Sequence, residues 1–523
     1  MEAQFLTSTP SQEIDIHLYP MLRLVLMLII GISLGYSFYA SIPCYRWAFL
    51  LLTSLLTSLF LSRKKLGQSL CVFALLVSLG GFLASFSYSK LGIKLPRGKR
   101  LYNAVLLTEP IQHGKVMQAD MLILTPTVPL KIKASILRDT ITQHYSTLHL
   151  ADGVQLYGEL QHPTNFINSH FDYAEYLKLH GYGAELFIFD SQWQIAKVSL
   201  APMNIVDRTL LRANVLRQKY AKLLKTTLNE SQLAVVSAMM LGDKSYISKS
   251  LKDDYSITGA SHVLALSGLH LSIIYAVLWM LFTSLGNILT LFKRKELKNL
   301  LLLLTIWAYV FLVGFSPSVV RSALMLSVYS FIALLGRDKM SLNTLAVAAF
   351  CILLYDPLTL FDVSFQLSFS AVASILLFYP IFNAWFCSDF FIKHKWLLWF
   401  PQMVAMTLSA QIGTAPLVAF YFSKFSTYFL LSSFVAIPCT TIILYAGVTF
   451  FAFVWFAPLQ WLAIKVLSFT TIFLNTSLHW LATLPKASIS IHHLTVLQVI
   501  LIYFMLLILL MLTTFFGRRI KFR

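Results

Sequence analysis

Twelve apolar runs dominate this chain and leave few folds open to it. They cover residues 20–40, 47–62, 67–89, 262–291, 299–315, 318–335, 341–355, 363–380, 397–421, 427–456, 459–484 and 494–516. A helix of about 20 residues crosses a hydrocarbon core roughly 30 Å thick. A bilayer offers no water to backbone amides, so each segment must bond to itself, which favours helices. The runs at 47–62 and 341–355 are short, so tilt or neighbouring helices must compensate. Pro401, Pro416 and Pro438 interrupt two of the late runs and mark places for broken or re-entrant helices.

Composition agrees with a polytopic α-helical membrane protein. Of 523 residues, 57% are hydrophobic and 12% charged, more apolar surface than a soluble protein of this length can hide. The net charge of +19 is first a topology signal. Alternate loops carry Arg63-Lys64-Lys65, Lys293-Arg294-Lys295 with Lys298, Arg337 with Lys339, Lys393 with Lys395, and the tail Arg518, Arg519, Lys521 and Arg523. The opposite short loops hold Arg46, Lys424 and Lys486. The positive-inside rule places the first set in the cytoplasm. Both termini are then expected in the cytoplasm and residues 90–261 outside. The first twenty residues hold no Lys or Arg, and Phe38 is too large for the −3 position of a cut after Ala40. The run 20–40 therefore reads as a retained first span.

The outside segment differs in kind. Leu101–Leu107, Val116–Leu124, Lys131–Leu137, Val154–Leu160, Ala184–Phe189 and Trp193–Val198 read as short strands separated by Gly, Pro, Asn and Asp. Such spacing suggests an inserted small β-barrel of OB type at 90–200. Residues 90–210 hold 12 basic and 10 acidic side chains, so charge there does not announce nucleic-acid binding. Next, at 201–261, amphipathic or interfacial helices are expected. Residues 208–225 carry Arg208, Arg212, Arg217, Lys219, Lys222 and Lys225 with no acid, beside an apolar face at helical spacing. Such a helix lies on a membrane surface or offers cations to a polyanion.

No Walker-type GxxxxGK[ST], strand-linked GxGxxG or HExxH occurs, which argues against ATP hydrolysis and zinc-protease chemistry. The five cysteines are scattered without a CxxC pair, so neither a disulfide framework nor a zinc site is expected. His492-His493 reads as an interfacial polar pair rather than a metal site. No cofactor is implied.

The polar groups at membrane depth carry the functional signal, because ionisable side chains there are expensive and face a protein interior or a wet path. His262 and His270 bracket Ser267-Gly268 in GASHVLALSGLHLS (259–272). Helix packing or a path-lining role both fit, and a nucleophilic Ser267–His270 pair lacks an identifiable acid. Arg321 either snorkels to the outer interface or meets an anion inside. Gln366 and Gln411 read by default as bonds between helices. Asp356 and Asp362, beside Pro357, read as caps of the following helix.

These pieces in this order resemble the ComEC family of competence DNA-uptake channels. The resemblance rests on HPTNFINSHFDYAEYLKLHGYGAE (162–185), especially Phe171-Asp172-Tyr173 and Tyr176-Leu177, then AVVSAMMLGDKSYI (234–247), HVLALSGLHLS (262–272), SPSVVRSALM (316–325), DPLTLFDVSFQLSFSAV (356–372) and APLVAFYFSKFS…AIP (415–438). It implies a bacterial inner-membrane channel for single-stranded DNA, with an OB-type domain outside and a channel domain at 262–516. The three helices of 1–89 precede these parts and a basic tail, 517–523, follows. Carried onto this sequence, the path residues are His262, Ser267, Gly268, His270, Arg321 and Gln366, with protonatable histidines and Arg321 serving a polyanion. It implies membrane lipids, an outside DNA receptor and a cytoplasmic motor ATPase as partners, and leaves room for a homo-oligomer. Many members carry a C-terminal metallo-β-lactamase-like nuclease domain. This chain ends at Arg523 without one, so strand degradation is expected from a separate nuclease or not at all. Ser433 stands in SSFVAIP where the family often has Asn. The expectation is a channel, not an enzyme. The alternatives are a secondary transporter or lipid flippase, and less favourably a membrane-embedded hydrolase.

Overall fold

The computed structural model describes residues 19–61, 65–92, 95–125, 129–138, 144–165, 172–288, 294–334, 336, 342–387, 389–491 and 494–521. Phe171, Arg63, Lys64, Lys293, Arg337, Lys339, the His492-His493 pair and Arg523 lie outside the described residues.

Three helices come first: α1 (Pro20–Ser37), α2 (Cys44–Phe60) and α3 (Lys65–Ser89). Strands β1 (Arg100–Leu106), β2 (Ile111–His113), β3 (Val116–Thr125), β4 (Leu130–Leu137) and β5 (Gly153–Gly158) follow. Helix α4 (Tyr173–Leu179) separates them from β6 (Ala184–Ile188) and β7 (Trp193–Ile195). Then come α5 (Ile205–Lys225), α6 (Glu230–Leu241) and α7 (Lys249–Ile257), followed by α8 (Gly268–Ile288), α9 (Lys295–Leu312), α10 (Pro317–Leu334), α11 (Leu342–Tyr355) and α12 (Val363–Phe386). The chain continues through α13 (Asp389–Lys393), α14 (Trp399–Phe422), β8 (Lys424–Ser426), α15 (Phe429–Ala452), α16 (Ala457–Thr483), β9 (Ser488–Ser490) and α17 (Val496–Lys521).

Every one of the twelve apolar runs contains a helix, and the protein is a polytopic membrane protein. Among the described residues, eight helices are long and apolar enough to cross a membrane: α1, α3, α10, α12, α14, α15, α16 and α17. Helix α11 has 14 residues, about 21 Å of rise, and α9 opens on Lys295, Glu296 and Lys298. The expected breaks at proline do not occur. Helices α14 and α15 run through Pro416 and Pro438, and Pro401 falls in the first turn of α14. Early in a helix the missing N–H costs nothing, and within a bundle neighbouring helices and hydroxyls take up a freed carbonyl.

Small residues set the closest helix contacts, as expected where lipid gives no hydrophobic drive. Gly31 and Gly35 of α1 lie against the α3 backbone at Val77 and Gly81, and Trp47 of α2 closes over Gly81. Helix α12 meets α14 at Ser374 and Gly413, where the Ser374 hydroxyl donates to Ser409 O at 2.6 Å.

The strands between α3 and α5 form one sheet in the order β6-β4-β3-β1-β5-β7, with β2 on β3. All pairs are antiparallel except β4–β6. Side chains alternate along a strand, and β4 shows the result: Leu130, Ile132, Ala134 and Ile136 point into the core while Lys131, Lys133 and Ser135 do not. Tyr102, Met121, Ile123, Leu156 and Trp193 fill the same core. Along the named strands the path runs from β6 to β7, and just past β5 Gln161 exchanges both backbone hydrogen bonds with Glu185 of β6, so the sheet curls into a half-barrel, the coarser form of the OB-type barrel expected.

The 201–261 segment is only partly amphipathic. Helix α5 buries Leu211, Asn214, Ala221 and Leu224 on one face. Helix α6 is buried from Gln232 to Leu241, because a helix apolar all round has no face to offer water. It packs with α15 and α16, where Gln232 Nε2 donates to Ser468 Oγ at 3.0 Å.

Candidate functional site

The segment 259–272 forms a tight entry into α8. Gly259 has φ +78°, a left-handed value that suits a residue without Cβ, and a 3-10 turn at Ala260–His262 follows. His262 is exposed and its Nδ1 lies 3.1 Å from Gly259 O. Ser267 precedes α8 and its carbonyl accepts from Leu271 N. Gly268 lets α8 approach α10: a Cβ there would sit 3.0 Å from Ser322 Oγ.

His270 is 1% exposed. Its Nδ1 receives the Ser267 backbone N–H at 3.0 Å and faces Ser267 Oγ at 2.9 Å. A backbone N–H can only donate, so Nδ1 must be bare and the ring proton sits on Nε2. A protonated ring would set two N–H groups against each other. This geometry overturns the expectation that His270 supplies a positive charge. Nε2 is buried without a hydrogen-bond partner among the described residues. A Ser–His relay would need an oriented acid at that nitrogen, so the arrangement lacks the third member of a hydrolase.

Arg321 follows one residue before Ser322 on α10. It is 3% exposed, which excludes snorkelling to a lipid interface. Its Nη2 donates to Ser364 O at 3.0 Å in the first turn of α12, while Nε and Nη1 are buried without partners among the described residues. The Asp362 carboxylate acts on it electrostatically and also caps α12 through Ser364 N at 2.8 Å. Gln366, one turn on, bridges two elements: its Nε2 donates to Leu360 O at 3.0 Å and its Oε1 accepts from Tyr421 OH at 2.9 Å. Asp356 accepts from Leu358 N. The structure thus joins Arg321 and Gln366 around the start of α12, and Gly268 beside Ser322. Gln411 is not in that group. It lies ten residues before Tyr421 along α14, about 15 Å, and is half-buried.

A second cluster escaped the sequence reading. Helix α4, capped by Asp172 through Glu175 N at 2.9 Å, docks the sheet onto the membrane helices. Glu175 accepts from Tyr36 OH of α1 at 2.7 Å and Tyr88 OH of α3 at 3.4 Å. Lys178 Nζ lies 3.9 Å over the Tyr88 ring, and His180 Nε2 stands 3.9 Å from Asp362. The other side of α4 meets the sheet. There burial, with the Glu185 charge, pushes the Tyr173 hydroxyl up to about 12. Burial also raises the Glu185 carboxyl and lowers the Lys131 ammonium. The available signal was an acid and a base in YAEYLKLH with tyrosines at the ends of the first and third runs.

The basic helix divides its charges. Arg212, Lys219, Lys222 and Lys225 are exposed. Arg208 donates to Leu200 O and Ala201 O at 2.9 and 2.8 Å. Arg217 is half-buried on the side of Gly314, which follows α9. Asn214 Nδ2 and Gln218 Nε2 donate to Leu107 O and Glu109, so α5 ties the sheet to the helices. No group of three His, Cys, Asp or Glu residues able to hold a metal occurs among the described residues.

Comparison with known proteins places these features in one family. ComE operon protein 3 of Bacillus subtilis (strain 168) is 27% identical over 354 residues, 67% of this chain and 42% of that protein. Recombination protein 2 of Haemophilus influenzae (Rd) is 26% identical over 274 residues, 50% of this chain and 34% of that protein. The chain spans less than half the length of these relatives. No solved structure matches it. The competence protein family matches residues 239–516, from the end of α6 through α17, and so takes in His262, Ser267, Gly268, His270, Arg321, Gln366 and Gln411. This polytopic membrane protein belongs to that family, the ComEC-type competence proteins.

Proposed function

We propose that this protein is an inner-membrane channel that passes single-stranded DNA during natural transformation. The observation that carries the reading is the family match over 239–516, which contains every polar group at the start of α8, α10 and α12. Physics supports the cargo class. A strand needs repeated, weak, reversible contacts so that it can leave as well as enter. Buried donors such as Arg321 Nε and Nη1 and His270 Nε2 suit an oxygen-rich guest better than a hydrophobic one.

In this reading the sheet stands outside and both termini lie in the cytoplasm, from the Lys and Arg bias of the loops. Directional force then comes from a cytoplasmic motor ATPase, from strand capture or from an ion gradient, and a receptor delivers DNA from outside. The reading asks no covalent chemistry of the described residues. The Ser267–His270 contact of 2.9 Å favours the rival hydrolase reading, but His270 Nε2 has no acid beside it among the described residues. The test is transformation of a competent host carrying Arg321→Ala or Ser267→Ala/His270→Ala, with membrane insertion checked by blotting. Loss of transformants at normal insertion is expected. Normal transformation in a stably inserted double variant contradicts the assignment.

A further inference from the structure

We propose that Ser267 is a positioning residue that locks His270 as a neutral Nε2–H donor. We further propose that this buried N–H is offered to an oxygen acceptor on the guest, a phosphate or base oxygen of a nucleic-acid strand. The guest's identity rests on the reading under Proposed function; the tautomer does not.

Three observations converge. Ser267 aims both its backbone N–H and its hydroxyl at the same ring nitrogen, at 3.0 and 2.9 Å. The N–H cannot reverse its role, so Nδ1 is held as an acceptor whichever way the hydroxyl turns. Ser267 and His270 are three residues apart across the first turn of α8, the spacing at which side chains meet on one helix face. The contact is therefore set by the helix start and needs no distant element. Finally, Nε2 is left buried and unpartnered among the described residues. A buried donor without an acceptor is destabilising, and native proteins keep such groups where they have a use.

The device explains why a histidine stands here. A lysine would bring a full charge to membrane depth, and an anionic strand would bind it too tightly to move on. A neutral N–H gives one modest bond that forms and breaks.

The experiment has two readouts on full-length protein. The first is nitrogen NMR of histidine-labelled protein in nanodiscs, with the His270 signal identified by its loss in His270→Gln. Nε2–H with bare Nδ1 is expected across roughly pH 5–8, the range in which free histidine titrates. In Ser267→Ala the backbone N–H remains, so the single form is expected to persist, whereas Ser267→Pro removes that N–H and is expected to give mixed tautomers. An imidazolium or an Nδ1–H ring in the unaltered protein overturns the lock. The second readout is transformation. His270→Gln keeps an N–H near the Nε2 position and is expected to retain uptake within about tenfold, the scale of one altered hydrogen bond. His270→Lys is expected to fall by about a hundredfold, from the cost of a charge at depth. Lysine working while glutamine fails overturns the neutral-donor role. So does covalent capture of Ser267 by a fluorophosphonate, which would make it a nucleophile. If deletion of the gene leaves transformation intact, the DNA reading and the DNA guest both fall, while the nitrogen spectra still decide the lock.

Discussion

Gly35→Ala tests how the membrane helices hold the sheet. A Cβ at Gly35 would lie 2.5 Å from Gly81 O, 2.7 Å from Gly81 Cα and 3.0 Å from Gly81 C, all backbone atoms of α3. Ordinary contact begins near 3.4 Å, and backbone in a helix cannot turn aside. Helices α1 and α3 must therefore separate by about 0.9 Å, at a cost of about 1–3 kcal/mol for overpacking. Tyr36 is the next residue on α1, and its hydroxyl reaches Glu175 at 2.7 Å while Tyr88 of α3 reaches the same carboxylate. Because α1 and α3 hold the same carboxylate through Tyr36 and Tyr88, moving them apart strains both bonds, so one methyl group loosens the seam and the docking of α4 together. The assay is thermal unfolding of purified protein in detergent, run as a double-mutant cycle with Tyr36→Phe. Gly35→Ala is expected to lower the midpoint, and Tyr36→Phe to cost less in the Gly35→Ala background than alone. An unchanged midpoint refutes the packing argument. Strict additivity refutes the link from the seam to the latch.

Three further outcomes follow from single contacts. Gln366→Leu is expected to cost about 1–3 kcal/mol because it strands the Tyr421 hydroxyl and Leu360 O, and adding Tyr421→Phe should recover part of that loss in the same melting assay. Arg321→Lys is expected to lose transformation nearly as Arg321→Ala does at normal insertion, because one ammonium cannot replace a planar guanidinium that donates to Ser364 O beside Asp362. Glu185 is raised by burial, so its folded form favours the proton. That contribution is present below the unfolded carboxyl range and is lost as pH rises through the folded value. Glu185→Gln should therefore slow amide exchange in β6 at neutral pH and change nothing in acid; faster exchange at neutral pH would contradict the sign.

Much of the architecture could be read from the sequence because it depends on local periodicity. Alternation at Leu130–Ile136 marked β4, and unbroken apolar runs marked the spanning helices. Strand β2 escaped because Ile111–His113 is too short to show a period. Whether the sheet closes was not legible, since β4–β6 pairing joins residues about fifty apart. The same limit hid the docking of α4, where Tyr36 meets Glu175 across 139 residues. Arg321 is a costly buried group whose type is plain in the sequence, but its place in the interior rather than at a lipid interface depends on Ser364, 43 residues on. The state of His270 depended on a backbone N–H, and residue types alone carry no record of that.

The central claim is that this chain carries DNA through the inner membrane. The direct measurement follows labelled DNA in a competent host lacking the gene, separating surface-bound label from label protected inside spheroplasts. The account predicts normal surface binding, no protected single strands, and recovery of protected strands when the full chain is restored but not its Arg321→Ala form. Equal protected label with and without the gene would contradict it.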